Sequence, residues 1–260
     1  MNPAHRQTDH TIRFEWGPTG AEAIADDCDV ALVVDVLSFT TTLSVALDAG
    51  IEVVPSRPDQ ATAAAYAEQV DATLAVGRSV ARGGQISLSP STIRRQEVPP
   101  QRLVLPSPNG SAISYQLAGR AETVIGASLR TADAVAEWIT SNQAPDATVA
   151  VIAAGERWPD GSLRPAIEDL WGAGAVLHAL AERGWADGFS SEARAAADAW
   201  GSVCADLVAR LHDCASGVEL IRAGYPDDVA IASEVDASSS VPVLRGDRFI
   251  SAEGRAAGIE

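Results

Sequence analysis

Asp35 is the residue around which the chemistry of this chain can be built. It stands directly after the apolar run Ala31-Leu32-Val33-Val34. That run is short and β-branched, as a strand covered on both faces requires. Ser38, Thr40, Thr41 and Thr42 then crowd the start of a helical segment that closes at Gly50. A carboxylate in such a turn can hold a divalent cation or attack as a nucleophile. The N–H groups and positive dipole end of the helix start suit an anion. The plainer reading is that Asp35 caps the helix and that the Ser and Thr residues are ordinary N-cap residues.

Three more apolar runs end in small or polar residues: Gly77-Arg78, Asn109-Gly110-Ser111 and Gly155-Glu156. In a parallel sheet these tips share one edge with Asp35, the edge where ligands collect. Arg78 is placed to take a phosphate or sulfonate in a bidentate fork, whereas Arg57 reads as a surface charge. Glu168 and Asp169 lie near the start of a helix, where the dipole stabilises acids. Helix neighbours diverge, so at most one of the two is expected to reach a site shared with Asp35, where it could complete an oxygen-rich Mg²⁺ shell. His5, His10, His178 and His212 show no metal spacing. Cys204 and Cys214 read as buried thiols, and Cys28 has no CxxC partner. There is no Gly-x-Ser-x-Gly elbow.

Positioning these residues requires alternating strands and helices. Strands are expected at Ile12–Trp16, Ala31–Val34, Ile51–Val54, Thr73–Val76, Leu103–Leu105, Thr123–Ile125 and Thr148–Ala153. Late strands are expected at Val241–Leu244 and Arg248–Ile250. Helices fill most gaps: Pro58–Val70, from about Ala112, up to Asn142, Ala166–Arg183, an Ala-rich stretch Ser190–Cys214, Gly217–Ala223 and Asp227–Glu234. Residues 79–100 read as one long loop. Such alternation predicts an α/β fold with a mostly parallel or mixed sheet and helices on both faces. A single domain over residues 1–260 is expected, with 187–191 as a weak boundary.

The chain has 260 residues, 47% of them hydrophobic, which excludes disorder as the main state. Its net charge of −16 argues against a nucleic-acid partner. All 19 basic residues are arginine, so a Schiff-base lysine and a Walker A loop are excluded. No stretch is apolar enough to span a bilayer, and the polar N-terminal residues predict a cytoplasmic protein.

Taken in order, these motifs resemble the 2-phosphosulfolactate phosphatase family. The family's Asp-Val-Leu-Arg-Ala-Thr-Thr type motif is here Asp35-Val36-Leu37-Ser38-Phe39-Thr40-Thr41. Its Thr-Asn-Gly-Thr is Pro108-Asn109-Gly110-Ser111. Its Ala-Gly turn, Ser-Leu-Glu-Asp helix and Ala-Gly are Ala154-Gly155, Ile167-Glu168-Asp169-Leu170 and Ala173-Gly174. Its late acidic segment and Val-Pro are Glu234-Val235-Asp236 and Val241-Pro242. The resemblance implies a three-layer α/β/α fold and Mg²⁺-dependent hydrolysis of a small phosphate ester. The reference reaction converts 2-phosphosulfolactate to sulfolactate and phosphate on a route to coenzyme M. Asp35 would be nucleophile or metal ligand, and Glu168 and Asp169 would add metal or base chemistry. Ser38, Thr40, Thr41, Arg78, Asn109, Gly110, Ser111 and Gly155 would line the substrate.

Five positions depart from the pattern. Ser38 replaces the family Arg, Arg78 follows Gly77 where the family has Glu, and Leu88-Ser89-Pro90 replaces Asn-Ser-Pro. Ser107-Pro108 replaces Thr-Thr, and Arg164-Pro165-Ala166 separates Ser162-Leu163 from Ile167-Glu168. Losing an Arg from such a site removes a charge-assisted contact worth about 1.5–3 kcal/mol, which Arg78 is the candidate to replace. A fold-retaining anion-binding protein without turnover is the alternative that Ser38 and Arg78 favour. The Ala-rich helices suggest a homodimer.

Overall fold

The β-branched runs become strands, and alternation along them builds the layers. The computed structural model describes residues 2–56 and 60–252, without the side chains of residues 60 and 61. Arg57, Pro58 and Asp59 lie outside the described residues. In chain order the strands are β1 Ile12–Trp16, β2 Val30–Val34, β3 Glu52–Ser56, β4 Thr73–Leu74, β5 Arg102–Pro106, β6 Thr123–Ala127, β7 Val149–Ala153, β8 Glu156–Arg157, β9 Leu163–Arg164, β10 Pro242–Arg245 and β11 Arg248–Ser251. The helices are α1 Gly17–Ile24, α2 Phe39–Asp48, α3 Gln60–Gln69, α4 Pro90–Arg94, α5 Gly110–Leu117, α6 Ala132–Asn142, α7 Ile167–Glu182, α8 Ser191–Gly201, α9 Leu207–Asp213, α10 Ala215–Arg222 and α11 Pro226–Ala232.

Among the described residues nine strands form one mixed sheet in the order β1-β7-β2-β6-β10-β11-β3-β5-β4. Side chains alternate across a strand, and the core follows that period. Leu32, Val34, Val151 and Ala153 enter one apolar cluster with Val135 of α6, Leu177 and Leu180 of α7 and Ala196 of α8. Ala31, Val33, Ala150 and Ile152 point the other way, onto Ile24 of α1 and Ile113 and Leu117 of α5. Three layers follow directly.

The sheet is two parallel blocks, β1-β7-β2-β6 and β3-β5-β4, separated by the antiparallel hairpin β10–β11. The hairpin touches each block at a single paired position, Val243 with Ile125 and Phe249 with Val53, both antiparallel. The four strand tips therefore divide: Asp35 and Gly155 follow the paired parallel strands β2 and β7, while Gly77-Arg78 and Asn109-Gly110-Ser111 follow β4 and β5 in the other block. A joint of one pair on each side permits a large change in strand direction, and sheet twist accumulates across it.

One helical expectation and one loop expectation are corrected. The stretch Ser190–Cys214 is not one helix: α8 ends at Gly201, a 3₁₀ turn covers Cys204–Asp206, and α9 follows. Glycine is a weak helix former, and the break falls there. Cys204 lies exposed in the turn, while Cys214 is buried. Within 79–100, Pro90 starts the short helix α4, whose Ile93 enters the core beside Leu103 and Phe249.

The possible boundary at 187–191 is tied to β1: the Ser190 N–H donates to the Ile12 carbonyl at 2.9 Å. Gly172 and Gly174 set how closely α7 docks. A Cβ on Gly172 would meet Val36 at 2.5 Å, and one on Gly174 would meet the Ala196 carbonyl of α8 at 2.2 Å.

Candidate active site

The turn after β2 is built by its hydroxyls. Thr40 Oγ1 donates to the Asp35 carbonyl at 2.8 Å and accepts the Asp35 N–H at 3.0 Å. Thr41 Oγ1 donates to the Val36 carbonyl at 2.8 Å, and Ser111 Oγ donates to the Leu105 carbonyl at 2.7 Å. All three hydroxyls are buried on backbone partners. What they give the site is the shape of its turns.

That shape fixes Asp35. Its Oδ1 accepts the Phe39 N–H at 3.1 Å, and its Oδ2 accepts the Gly110 N–H at 2.9 Å. The second bond joins the turn after β5 to the turn after β2. Gly110 has to be glycine for this approach. A Cβ there would meet the Phe39 ring at 2.3 Å and Asp35 Oδ2 at 2.8 Å.

Glu168 and Asp169 are both buried but do different things. Asp169 Oδ1 accepts the Val36 N–H at 2.7 Å, and its Oδ2 accepts the Gly155 N–H at 2.8 Å. It clamps the tips of β2 and β7 to the start of α7. Glu168 Oε2 has no hydrogen-bond partner among the described residues. A buried carboxylate oxygen left unpaired is costly, so it marks a position where a ligand would be stabilising.

Glu156 joins this group. Asn109 Nδ2 donates to Glu156 Oε2 at 3.0 Å. Burial, and then the charge of Asp35, push the Glu156 carboxyl up to about 7. Asp35 is raised by burial, opposed by the Phe39 and Gly110 N–H groups and by Arg78, with Glu168 adding a further upward push. Asp169 is raised well above the usual carboxylate range by burial and then by Asp35 and Glu168. The Cys214 thiol is pushed up to about 12 by burial and then by the Glu168 charge. Several acids thus share one desolvated space and oppose each other's ionisation.

Arg78 is the cation at this edge. Its Nη2 donates to Ser38 Oγ and, at 3.1 Å, to the Leu88 carbonyl. Its Nε pairs with buried Asp228 Oδ2 at 3.3 Å. The sequence signalled Glu156 only as part of a strand tip. Asp228 gave no separate signal, because it follows Pro226-Asp227 as an ordinary first-turn acid would. The acids of the late motif serve structure instead. Glu234 pairs with Arg94 and Arg130, and Asp236 Oδ1 accepts the Asp133 N–H at 2.8 Å.

The donor set suits a hard cation, and Mg²⁺ is a hard, oxygen-seeking ion. Among the described residues no three acid, histidine or cysteine side chains close into a ready metal cage. Mg²⁺ does not need one, since it is usually held by one or two carboxylates together with substrate phosphate and water. The open Glu168 Oε2 and the remaining lone pairs of Asp35 fit that pattern.

Buried acids, an arginine and two helix starts gather at the strand tips of a three-layer fold, which places the chain in the class of α/β proteins with an acid-rich site at the strand edge. Comparison with known proteins narrows the class. The family model described as 2-phosphosulpholactate phosphatase matches residues 19–247. A protein of Parasynechococcus marenigrum named "Probable 2-phosphosulfolactate phosphatase" is 31% identical over 86% of this chain and 92% of its own length. A protein of the same name from Thermus thermophilus is 29% identical over 84% of this chain and 89% of its own. The chain belongs to the 2-phosphosulfolactate phosphatase family, and its class is that of the phosphoric monoester hydrolases. Among the described residues no helix is long and apolar enough to cross a membrane.

Proposed function

We propose that this chain is a Mg²⁺-dependent phosphatase of a small anionic phosphate monoester, 2-phosphosulfolactate or a close analogue. The observation that carries the reading is the burial of two mutually repelling acids at the strand tips: Asp35, held by two backbone N–H groups, and Glu168, whose Oε2 has no hydrogen-bond partner among the described residues. Asp35 and Glu168 would hold the metal, which supplies charge neutralisation at the phosphoryl oxygens. Gly110 and Phe39 hold the Asp35 carboxylate in one orientation, for attack or for ligation. Asn109 holds Glu156 beside it, and burial excludes bulk water, which strengthens every charge interaction there.

Arg78, Asn109 and Gly155 line the substrate in this reading, with Ser38, Thr40, Thr41 and Ser111 shaping the turns beneath it. Its product with 2-phosphosulfolactate would be sulfolactate, on the coenzyme M route the resemblance implies. Phosphate release from a panel of small monoesters, 2-phosphosulfolactate and 2-phospholactate among them, is expected to require Mg²⁺. Release that persists unchanged in EDTA removes the metal, and no release from any member removes the phosphatase reading.

We extend the proposal to a cytoplasmic homodimer. The free thiols Cys28, Cys204 and Cys214 suit a reducing compartment, and the Ala-rich helices would offer a close-packing face to a second subunit. A light-scattering mass equal to one chain overturns the dimer.

A further inference from the structure

Two adjacent residues of one turn hold two carboxyl groups. The Gly110 N–H donates to Asp35 Oδ2 at 2.9 Å, and Asn109 Nδ2 donates to Glu156 Oε2 at 3.0 Å. The turn after β5 therefore brings Glu156 of β8 to the same place as Asp35. Glu156 Oε1 makes no hydrogen bond among the described residues. Glu156 and Asn109 both line a cavity of about 350 Å³ whose other walls include Thr19, Ile113 and Leu163.

No cation is paired with Glu156. In the β8–β9 hairpin it stands opposite Arg164, so the two side chains leave the ribbon on one face. Arg164 nevertheless turns aside. Its Nη2 donates to Ser216 Oγ at 3.1 Å, and its guanidinium carbon lies 5.9 Å from the centroid of the Trp158 ring. Arg157, the next residue along β8, donates to the Gly161 carbonyl at 3.1 Å. What acts on Glu156 from the neighbouring elements is chiefly the negative charge of Asp35 and, more weakly, of Glu168. Like charges and desolvation favour the neutral carboxyl group. With Oε2 accepting from Asn109, the proton of that neutral group belongs on Oε1.

We propose that Glu156 is the proton donor to the leaving oxygen of the phosphate ester, and that the alcohol part of the substrate occupies the cavity beside it. The inference rests on the phosphatase reading above. As the bond between phosphorus and the ester oxygen breaks, its electron pair stays on that oxygen and the Oε1 proton moves to it. The alcohol departs neutral and Glu156 is left ionised. Water supplies the hydroxyl that phosphate gains and the proton that restores Glu156, whether it attacks the ester directly or attacks after transfer to Asp35. A positioned donor matters most where the leaving group is an aliphatic alkoxide, which is expelled poorly as an anion.

The test compares 2-phospholactate, which releases an aliphatic alcohol, with 4-nitrophenyl phosphate, which releases a stabilised phenolate. Glu156→Gln keeps an oxygen for Asn109 and removes the proton. It is expected to lower kcat/KM by about 10²- to 10³-fold for 2-phospholactate, and by a factor about tenfold smaller for 4-nitrophenyl phosphate. A second arm needs no variant. Across a series of substituted phenyl phosphates the native protein is expected to show kcat/KM values that depend only weakly on the acidity of the phenol, because the donor offsets charge on the leaving oxygen. An equal loss on both esters in Glu156→Gln gives Glu156 a structural role and overturns the proposal. So does an unchanged kcat/KM for 2-phospholactate, or a steep dependence on the phenol in the native series. Native protein that releases phosphate from neither ester overturns the phosphatase reading, and this inference with it.

Discussion

Asp35→Asn is expected to abolish Mg²⁺-dependent phosphate release, with kcat down by about 10³-fold or more. The substitution keeps the shape of the side chain and removes the charge that, in the proposed reading, either attacks phosphorus or binds the cation. It also unsettles the turn. Asp35 accepts one N–H on each oxygen, from Phe39 and from Gly110. The amide of Asn presents a donor to one of them, and an orphaned buried N–H costs about 1–3 kcal/mol. Loss of a desolvated charge offsets part of that cost, so the variant is expected to fold. Steady-state rates and thermal melting on the same preparation separate the two effects. Turnover within tenfold of the native protein would remove Asp35 from the chemistry. Mass-spectrometric capture of a phosphorylated peptide containing Asp35 in the native enzyme would assign it as nucleophile rather than ligand.

Glu168→Gln is expected to stabilise the metal-free protein at alkaline pH while removing its response to Mg²⁺. The direction follows from linkage. The Glu156 carboxyl is raised from 4.5 to about 7 in the folded chain. Between these values the folded state binds more protons than the unfolded state, so stability falls as pH rises through the window. The size of that fall is about 3 kcal/mol, taking 1.36 kcal/mol per unit. Asp35 and Asp169 are raised as well and act in the same direction. In the proposed reading Mg²⁺ binds the ionised acids, so it is expected to raise Tm more at pH 8 than at pH 5.5. Glu168→Gln removes one of the crowding charges and the open oxygen together. In EDTA at pH 8 its Tm is expected to exceed that of the native protein by about 2–4 °C per kcal/mol relieved. A Mg²⁺-induced shift equal to the native one would show that Glu168 does not hold the cation.

Much of this molecule was legible in its sequence, because the relevant physics is local. Ala31–Val34 and Thr148–Ala153 are short, apolar and β-branched, and their alternation splits the core into the two faces that α1 with α5 and α6 with α7 and α8 cover. Turn chemistry located Asp35, Asn109-Gly110 and Gly155 at strand ends, and the ordered motifs gave the family. Local signals misjudged Ser190–Cys214, where alanine content favoured a continuous helix and Gly201 interrupted it.

What the tertiary structure decided is which lone pairs are occupied. The sequence alone could not show that Thr40, Thr41 and Ser111 spend their hydroxyls on backbone carbonyls. It could not show that Asp169 is a clamp between two strand tips while its neighbour Glu168 keeps an open oxygen. Nor could it pair Arg78 with Asp228, or place the hairpin β10–β11 in the middle of the sheet. Periodicity and capping act between residues near each other in the chain. Hydrogen-bond satisfaction and charge crowding depend on donors that arrive from distant segments, and only folding brings those to Asp35.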